Sequence, residues 1–324
     1  MNILVTGANG QLGKCIYDQV EKRQTKNNYI YTDVIDGDTV DYIVDSTDED
    51  EVGRFVKEND INVIINCAAY TNVDKAENDY ENAEAVNAFA PLYLATAARE
   101  NGALLIHIST DYVFDGCNYK PYNEADVTNS HPISTYGKTK LMGEEYIAGS
   151  GCKYLIFRTA WLYSEYGNNF VKTMYKLIKE KDEIDVVNDQ IGTPTYAGNL
   201  AKFIVDICEC TTPLEGKETI PLLQNGTYHF TDEGVASWYD FSYKIRNAMY
   251  TRWVTGKTKT TISGLATVKG VTTKEYGSKT KRPYYSVLDK TKLKTDFKGL
   301  YSPLHWFEGV EHVVEILRNN DLDN

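Results

Sequence analysis

The amino-terminal stretch constrains the fold most tightly, because an apolar strand runs directly into a glycine-rich turn and then into a helical pattern. The strand covers Asn2–Thr6, and Gly7, Gly10 and Gly13 follow before a helix that continues to about Lys22. Glycines at this spacing permit a tight turn, let a diphosphate approach backbone N–H groups, and let the helix pack closely on the strand. The spacing is one residue wider than the usual dinucleotide fingerprint. The stretch predicts the start of a dinucleotide-binding fold.

A carboxylate follows the second predicted strand where such a fold needs one. The strand Tyr29–Thr32 ends at Asp33, about twenty residues after Gly13, where an acidic residue accepts hydrogen bonds from the adenosine ribose. Val34 and Ile35 follow, with no Arg or Lys in the next few residues. A carboxylate in this position repels a 2′-phosphate, so the local chemistry favours NADH.

Apolar strand patterns and amphipathic helix patterns then alternate along the chain. The further predicted strands are Asp41–Asp45, Asn62–Ala69, Leu104–Thr110, Tyr154–Trp161 and Glu183–Asn188, and the predicted helices are Thr47–Asn59 and Ala83–Glu100. This alternation is the signature of a parallel sheet covered by helices on both faces. We predict a Rossmann-like, doubly wound α/β domain that binds NAD(P) in residues 1–160. Residues 161–324 are expected to form a smaller, mixed α/β, mainly substrate-binding region that is interleaved with the first.

The second half of the chain is less regular. The stretches Thr211–Thr227 and Thr255–Pro283 show no domain-like periodicity, and the second is rich in lysine. In an acidic protein such a basic run is a solvated loop or hairpin, or its end lines a site for a polyanionic substrate. Disorder is expected only at Asn319–Asn324.

Composition excludes several classes of protein. The chain has 324 residues, of which 42% are hydrophobic, and a formal net charge of −12, which argues against nucleic acid or an anionic membrane as the main partner. No apolar run approaches the length of a membrane span, and the first residues lack a basic segment typical of a signal peptide. The six cysteines are scattered, so we expect free thiols and a cytoplasmic location.

Two Tyr-x-x-x-Lys pairs are candidates for acid–base chemistry. Spacing of four places the phenol and the ammonium of Tyr136 and Lys140 on one face of a helix. Tyr175 and Lys179 have the same spacing on an ordinary amphipathic helix pattern. Since a composition so rich in tyrosine produces such pairs by chance, only the surroundings of a pair can mark it as functional.

Several short motifs along nearly the whole chain carry a family resemblance. They are Gly7–Gly13, Asn66–Glu77, Ser109–Phe114, Tyr136–Lys140, Phe157–Trp161, Gly167–Phe170, Asn188–Thr195 and Arg282–Leu288. In these motifs the chain resembles the extended short-chain dehydrogenases/reductases and, within them, the dTDP-4-dehydrorhamnose reductase family. The resemblance implies NAD(P)H-dependent reduction of the 4-keto group of dTDP-4-dehydro-L-rhamnose, a step toward cell-surface polysaccharide. The cofactor is expected to be NADPH, with NADH also accepted.

The resemblance, together with the strand ends, implies a set of site residues. The expected cofactor contacts are Gly7, Gly10, Gln11, Leu12, Gly13, Asp33, Asp45, Ser46, Ala68, Ala69, Tyr70, Tyr136 and Lys140. The expected substrate contacts are Thr110, Asp111, Trp161, Asn169 and Arg282. The alternative for Trp161 is core packing, which is the usual role of an aromatic side chain.

The expected chemistry assigns a role to each of three catalytic residues. Tyr136 donates a proton to the new alkoxide, Thr110 holds the carbonyl oxygen, and Lys140 binds the nicotinamide ribose. An ammonium about 5 Å from the phenol would contribute on the order of 3 kcal/mol, which is about two pKa units. Lys140 is therefore expected to lower the pKa of Tyr136.

The chain departs from its relatives where some of them bind magnesium between subunits. Cys15 stands where those relatives have an acid, and Gly198 and Asn199 stand where another acid is expected. We therefore expect no metal, and a monomer or homodimer that does not depend on one.

Other functions stay open from the residues alone. The strongest alternative is a reductase of another nucleotide-activated 4-keto sugar. A dehydratase of the same superfamily typically has Glu where this chain has Tyr112, and an epimerase is similarly disfavoured. A non-catalytic binding or regulatory protein, like the regulatory subunit of methionine adenosyltransferase, is disfavoured by the presence of Thr110, Tyr136 and Lys140.

Overall fold

The computed structural model describes residues 1–211, 225–254, 258–261, 264–278, 280–302 and 304–323. Much of the irregular stretch 211–227, and residues 255–257, 262–263 and 279 of the lysine-rich stretch, lie outside the described residues. Predictions that concern them are untested. Within the described ranges, no helix combines the length and the apolarity that crossing a membrane requires.

The strands are short and are numbered in chain order. They are β1 Asn2–Thr6, β2 Asn28–Asp33, β3 Tyr42–Ile43, β4 Ile61–Asn66, β5 Leu104–Thr110, β6 Lys153–Thr159, β7 Leu162–Tyr163, β8 Glu183–Val187, β9 Ile191–Gly192, β10 Thr195–Tyr196, β11 Gly226–His229, β12 Ala236–Ser237, β13 Thr251–Val254, β14 Thr258–Thr261 and β15 Thr267–Val271.

The α-helices are numbered in the same way. They are α1 Gln11–Glu21, α2 Glu49–Glu58, α3 Val73–Ala76, α4 Tyr80–Glu84, α5 Ala90–Asn101, α6 Thr135–Gly149, α7 Phe170–Glu180, α8 Ala197–Thr211, α9 Trp238–Tyr250, α10 Thr273–Tyr276, α11 Thr291–Asp296 and α12 Trp306–Asp323. A π-helical turn, Ala85–Phe89, joins α4 to α5.

The central sheet confirms the predicted Rossmann-like fold. Its strand order is β11-β6-β5-β4-β1-β2-β3, and every pair in it is parallel. Residues of β4 point alternately to two hydrophobic clusters, since Ile65 packs with α1 and α8 while Ile64 packs with α2 and α5. Because both faces are covered, the strands read as continuous apolar runs in the sequence. All carboxyl ends of the sheet strands lie at one edge, where doubly wound sheets bind ligands.

A third hydrophobic cluster lies outside the central sheet. It is formed by α7, α9 and α12, with Phe241 and Trp306 fully buried within it. The small parallel pair β8–β15 packs at this cluster through Val186 and Val268. The cluster gives the second half of the chain a core of its own.

The helix predicted for residues 83–100 is interrupted by the π-helical turn. Within this turn, the Asn87 side chain bonds the backbone of Tyr70, one of the predicted cofactor contacts. Pro91 has no N–H to donate to the carbonyl of Asn87 one turn earlier, so the helix widens there into the π-helical turn. The Asn87 side chain accepts from Tyr70 N over 2.9 Å and donates to Tyr70 O over 3.1 Å. A Cβ on Gly143 would lie 2.2 Å from Asn87 O, so glycine is what lets α6 pack here.

One further prediction is confirmed only in part, and two are wrong. The lysine-rich stretch contains a hairpin strand, β14, which pairs antiparallel with β13. It also contains β15, which pairs with the distant β8, and α10, which begins with a capping box at Thr272. The residues expected to be disordered continue α12 to Asp323, where Asp321 is bound by side chains of α7. The strand predicted to reach Trp161 ends at Thr159.

Candidate active site

A cleft of about 790 Å³ lies at the carboxyl edge of the central sheet. Most predicted site residues line it, namely Gly7, Gly10, Gln11, Leu12, Asp33, Asp45, Ser46, Ala68, Ala69, Tyr70, Thr110, Asp111, Tyr136, Lys140, Trp161 and Asn169. Gly13 and Arg282 are not among the lining residues. The fold therefore gathers residues from nearly every strand end into one cavity.

The glycine loop at one end of the cleft has room only for glycine. Gly7 has a φ of +68°, and a Cβ on it would lie 2.6 Å from Ala68 N. A Cβ on Gly13 would lie 2.5 Å from Gly7 O, so Gly13 serves the packing of α1 against the loop rather than lining the cleft. The first turn of α1 starts at Gln11 with no side-chain cap, which leaves its N–H groups available to an anion.

Asp33 closes the loop from the neighbouring strand. Its Oδ2 accepts from Asn9 N over 3.0 Å, and its Oδ1 accepts from Ile35 N over 3.3 Å. Since each carboxylate oxygen can accept a second hydrogen bond, these contacts orient Asp33 and leave it able to bind hydroxyl groups. Asp45, the next acid along this edge, is held by Thr47, whose N–H and hydroxyl both donate to Oδ1.

Thr110, Asp111 and Tyr136 form a polar cluster at the middle of the cleft. The Thr110 hydroxyl donates to Asp111 Oδ1 over 3.1 Å and accepts from Tyr112 N over 3.2 Å. Tyr136 is in the first turn of α6, which Ser134 caps, and its ring packs edge-on against Tyr112. A Cβ on Gly137 would lie 2.2 Å from Tyr112 O, so this turn can approach the end of β5 only with glycine there.

Asp111 is a buried acid with an unused oxygen. It is 2% exposed, and its Oδ2 has no hydrogen-bond partner among the described residues. Burial raises the pKa of Asp111 to about 6, although hydrogen bonds from Ser286 and Thr110 oppose the shift. A buried acceptor without a donor that lines a cleft can receive a hydroxyl hydrogen from a ligand.

Lys140 lies beneath the cleft and is almost completely buried. Its Nζ donates to Ile108 O over 2.7 Å and lies 3.3 Å from His107 Nε2. Burial lowers the pKa of Lys140 to about 8, and the charge of Glu144 opposes this shift.

The expected lowering of the Tyr136 pKa is wrong. Burial raises the pKa of Tyr136 to about 12, and a hydrogen bond with Thr110 offsets only part of the shift. The spacing correctly placed the two residues in one cleft, but it could not show that the ammonium is bound by the backbone of β5. A phenol with this pKa is still a stronger acid than a secondary alcohol, so it can protonate an alkoxide.

Trp161 has an unusual backbone that the sequence did not predict. Its φ is +48°, a left-handed conformation that costs a non-glycine residue on the order of 1 kcal/mol. Its indole stacks on Trp238 with ring centroids 3.6 Å apart, and Trp238 Nε1 donates to Gln190 over 3.2 Å. A Cβ on Gly192 would meet the Trp161 ring at 2.6 Å. Trp161 thus packs against neighbours and also lines the cleft.

Trp238 is a cleft residue that sequence reasoning missed. It lines the cavity next to Trp161, on which it stacks, although it begins α9 far along the chain. No spacing links the two, so only the stacking in the folded protein could have identified it.

Arg282 does not line the cleft. Its Nη2 donates to both carboxylate oxygens of Asp74, over 2.8 and 3.0 Å, and its Nη1 donates to Ser278. A separate cavity of about 750 Å³ lies beside this pair and is lined in part by Asp74 and Lys281. A direct contact between Arg282 and a substrate stays a prediction.

Comparisons with known proteins agree with the fold and with the cleft. The family described as the RmlD substrate binding domain matches residues 1–319. The chain is 38% identical over 315 residues to the dTDP-4-dehydrorhamnose reductase of Aggregatibacter actinomycetemcomitans, a match that covers 96% of this chain and 97% of that protein.

Two solved structures show the same architecture. A dTDP-4-dehydrorhamnose reductase of Clostridium acetobutylicum is 40% identical with a TM-score of 0.82, over 98% of this chain and 100% of that one. The Bacillus anthracis enzyme of that name, solved in complex with NADP, is 35% identical with a TM-score of 0.79, over 96% of this chain and 98% of that one.

Proposed function

The chain belongs to the RmlD substrate-binding-domain family, and from that membership we propose that it reduces the 4-keto group of dTDP-4-dehydro-L-rhamnose to give dTDP-L-rhamnose, with NADPH as reductant. The observation that carries the proposal is the cluster of Thr110, Tyr136 and Lys140 in the cleft that the glycine loop also lines. A proton donor beside a dinucleotide site is what reduction of a carbonyl requires.

The glycine loop and the strand ends fit a dinucleotide. Gly7 leaves a space that a Cβ would fill, the first turn of α1 offers free N–H groups, and Asp33 offers carboxylate oxygens for a ribose. When bound, the dinucleotide supplies the hydride. The Bacillus anthracis relative was solved with NADP, which supports NADPH here, while Asp33 supports use of NADH as well.

Tyr136 is the proposed proton donor. Its hydroxyl lies beside that of Thr110. When the Thr110 hydroxyl turns from Asp111 to the ligand, both groups can donate to one carbonyl oxygen and stabilise the charge that develops on it. Tyr136 then passes its proton to the alkoxide, which is the stronger base. Lys140, one turn further along α6, contributes positive charge beneath the site.

Asp111 and the tryptophans are the proposed sugar contacts. The free Oδ2 of Asp111 can accept from a sugar hydroxyl, and a hexose can lie against the face or edge of Trp161. Stacking on Trp238 holds that ring in place at the cost of the strained backbone. Asn169 is anchored by its side chain to Ser164 and Gln11, so it links the substrate end of the cleft to the cofactor loop.

An isotope-transfer experiment tests the proposed function. The protein is incubated with NADPH that carries deuterium at the transferable position of nicotinamide C4 and with dTDP-4-dehydro-L-rhamnose. We expect dTDP-L-rhamnose with one deuterium at sugar C4, and little product when other nucleotide-activated 4-keto sugars replace the substrate. Faster turnover of another sugar nucleotide would assign the enzyme to that substrate, and the absence of deuterium transfer to every sugar would contradict a reductase.

A further inference from the structure

A buried polar chain runs from Lys140 through the sheet to the start of the glycine loop. Lys140 Nζ lies 3.3 Å from His107 Nε2, and His107 Nδ1 lies 3.1 Å from Asn66 Nδ2. The hydroxyl of Thr6 donates to Asn66 Oδ1 over 2.8 Å. These four side chains are at most 4% exposed. In such an interior every polar hydrogen needs an acceptor, so the protons of the chain are interdependent.

One arrangement of hydrogen bonds along this polar chain suits an uncharged Lys140. With the amide of Asn66 oriented as above, its Nδ2 donates to His107 Nδ1. The imidazole proton must then be on Nε2, where it points at Lys140 Nζ. Only an unprotonated amine has the lone pair to accept that hydrogen bond.

A second arrangement suits a charged Lys140. If the amide of Asn66 turns over, its oxygen faces the ring and accepts from Nδ1–H, and its Nδ2 donates to Thr6. His107 Nε2 then has a free lone pair that accepts from the ammonium. The carbonyl of Ile108 accepts a hydrogen from Lys140 in both arrangements, because an amine and an ammonium both can donate.

We propose, building on the function proposed above, that His107 is a positioning residue whose tautomer follows the charge of Lys140, so that the contacts of His107 with Lys140 and with Asn66 are hydrogen bonds in both protonation states of the lysine. Asn66 is the residue whose amide turns, and Thr6 can donate to it or accept from it. This polar chain thereby lets Lys140 lose and regain a proton without the loss of either contact of His107.

The surroundings of Lys140 support a change of tautomer rather than of charge at His107. Burial and the nearby positive charge of Lys140 hold the pKa of His107 well below its ordinary value, so the imidazole stays neutral. Burial likewise raises the pKa of the Cys67 thiol, which keeps it neutral. Glu144, one turn after Lys140, is paired with Arg158 at 2.6 Å.

Tyr136 lies one turn before Lys140, and burial raises the pKa of its phenol, so Tyr136 stays neutral as well. Lys140 is thus the group near His107 whose charge changes close to pH 8.

Nitrogen NMR of the imidazole tests the proposal without substrate or turnover. The full chain is labelled with ¹⁵N-histidine, and the His107 signals are assigned by their loss in His107→Gln, since the chain has 5 histidines. As the pH rises through about 8, we expect the Nδ1–H tautomer to give way to the Nε2–H tautomer, with no imidazolium formed. A single tautomer across pH 6–10, or a doubly protonated ring, would overturn the proposal. Either result is separable from failure of the reductase assay.

A matched pair of variants tests the same idea in the pH profile. Gln has an amide that reaches the position of Nε2 and can turn to donate or accept, whereas Phe fills the space and can do neither. A hydrogen bond to a charged group is worth more than one to a neutral group, so His107→Phe should move the alkaline limb of kcat/KM down by about one pH unit. His107→Gln should leave the limb within a few tenths of a unit. Equal limbs in folded, NADPH-binding variants would overturn the proposal, and thermal unfolding of both variants shows whether they are folded.

Discussion

Two helices present the same Tyr-x-x-x-Lys spacing, and the structure gives the two pairs opposite surroundings. On α6, Tyr136 lines the cleft and Lys140 is buried against the backbone of β5. On α7, Tyr175 and Lys179 face α12 instead, and both donate to the carboxylate of Asp321. Lys179 remains 47% exposed, and it lies over the Tyr175 ring. The second pair is a tether between two helices.

The difference shows that the partners of the two groups, rather than their spacing, decide the chemistry. Burial first, and then the hydrogen bond to Asp321 and its negative charge, raise the pKa of Tyr175, so its proton is already committed to that carboxylate. Tyr136 instead lies beside the Thr110 hydroxyl, and both side chains line the open cleft. The phenol that can reach a ligand is the one whose proton is not committed to a carboxylate, as that of Tyr175 is to Asp321.

The largest contrast is expected between the two lysines. Lys140→Met removes the positive charge beneath the cleft, so we expect kcat/KM to fall by about 10³-fold or more and NADPH affinity to fall with it. Lys179→Met removes only one exposed ion pair, which contributes less than about 1 kcal/mol, so activity should stay within about twofold. Steady-state kinetics and fluorescence titration of NADPH measure both. Similar losses in the two variants would mean that α7 also belongs to the active site.

Asp111 lies beside the pair in the cleft and Asp321 beside the pair on α7. Replacing each acid with Asn should change the free energy of unfolding in opposite directions. The pKa of Asp111 is about 6, above its ordinary 3.8, because burial disfavours the carboxylate. Wild-type stability therefore contains a penalty that is present above about pH 6 and disappears as the pH falls below 4. Asp111→Asn should raise the free energy of unfolding by up to about 3 kcal/mol at pH 8, with no gain below pH 4, while reducing turnover.

Asp321 provides the control for this comparison. Burial opposes the shift, but hydrogen bonds from Lys179 and Tyr175 lower the pKa of Asp321. Its contribution to stability is therefore present at neutral pH and lost in acid, so Asp321→Asn should slightly destabilise the protein at pH 8 and leave turnover intact. Chemical denaturation at the two pH values measures both variants. An Asp111→Asn protein that is no more stable than wild type at pH 8 would contradict the account of that acid.

A smaller effect is expected from the choice of cofactor. Asp33 can bind two ribose hydroxyls, while the NADP-bound relative supports the phosphorylated form. We expect NADH to support turnover with kcat/KM no worse than about tenfold below NADPH, a difference of about 1.4 kcal/mol. Kinetics with both cofactors test this. A preference above a thousandfold would mean that Asp33 does not face the ribose or that a basic side chain reaches it.

The smallest expected effect is that of metal removal. Cys15 is buried beside Ser164, and burial raises the pKa of its thiol, so it is a poor metal ligand. Chelation of magnesium should change neither activity nor sedimentation. A chelator-induced change in sedimentation would show that the subunits use a metal after all.

Local patterns predicted the parts of the molecule that depend on nearby residues. The bounds of β1 and β5, the glycine loop and the position of Asp33 all follow from periodicity and turn chemistry. The strand end at Thr159 and the left-handed Trp161 did not follow from them, because a partner from α9 holds that ring.

Features that join distant segments were beyond the sequence. The pairing of β15 with β8 and the contact of the Asn87 side chain with Tyr70 each join residues far apart in the chain. The same holds for the pKa of Tyr136. Spacing placed an ammonium one turn away, but the carbonyl of Ile108 and the ring of His107 determine where that ammonium points.

The most direct test of the central claim compares the two tyrosines in one assay. Tyr136→Phe and Tyr175→Phe each remove one hydroxyl from the same motif. We expect Tyr136→Phe to lower kcat by about 10²–10⁴-fold while the Kd for NADPH stays within about twofold, because only the proton donor is lost. Tyr175→Phe should keep kcat within about twofold of wild type. Near-normal kcat in Tyr136→Phe, or an equal loss in Tyr175→Phe, would contradict the assignment of proton donation to the pair in the cleft.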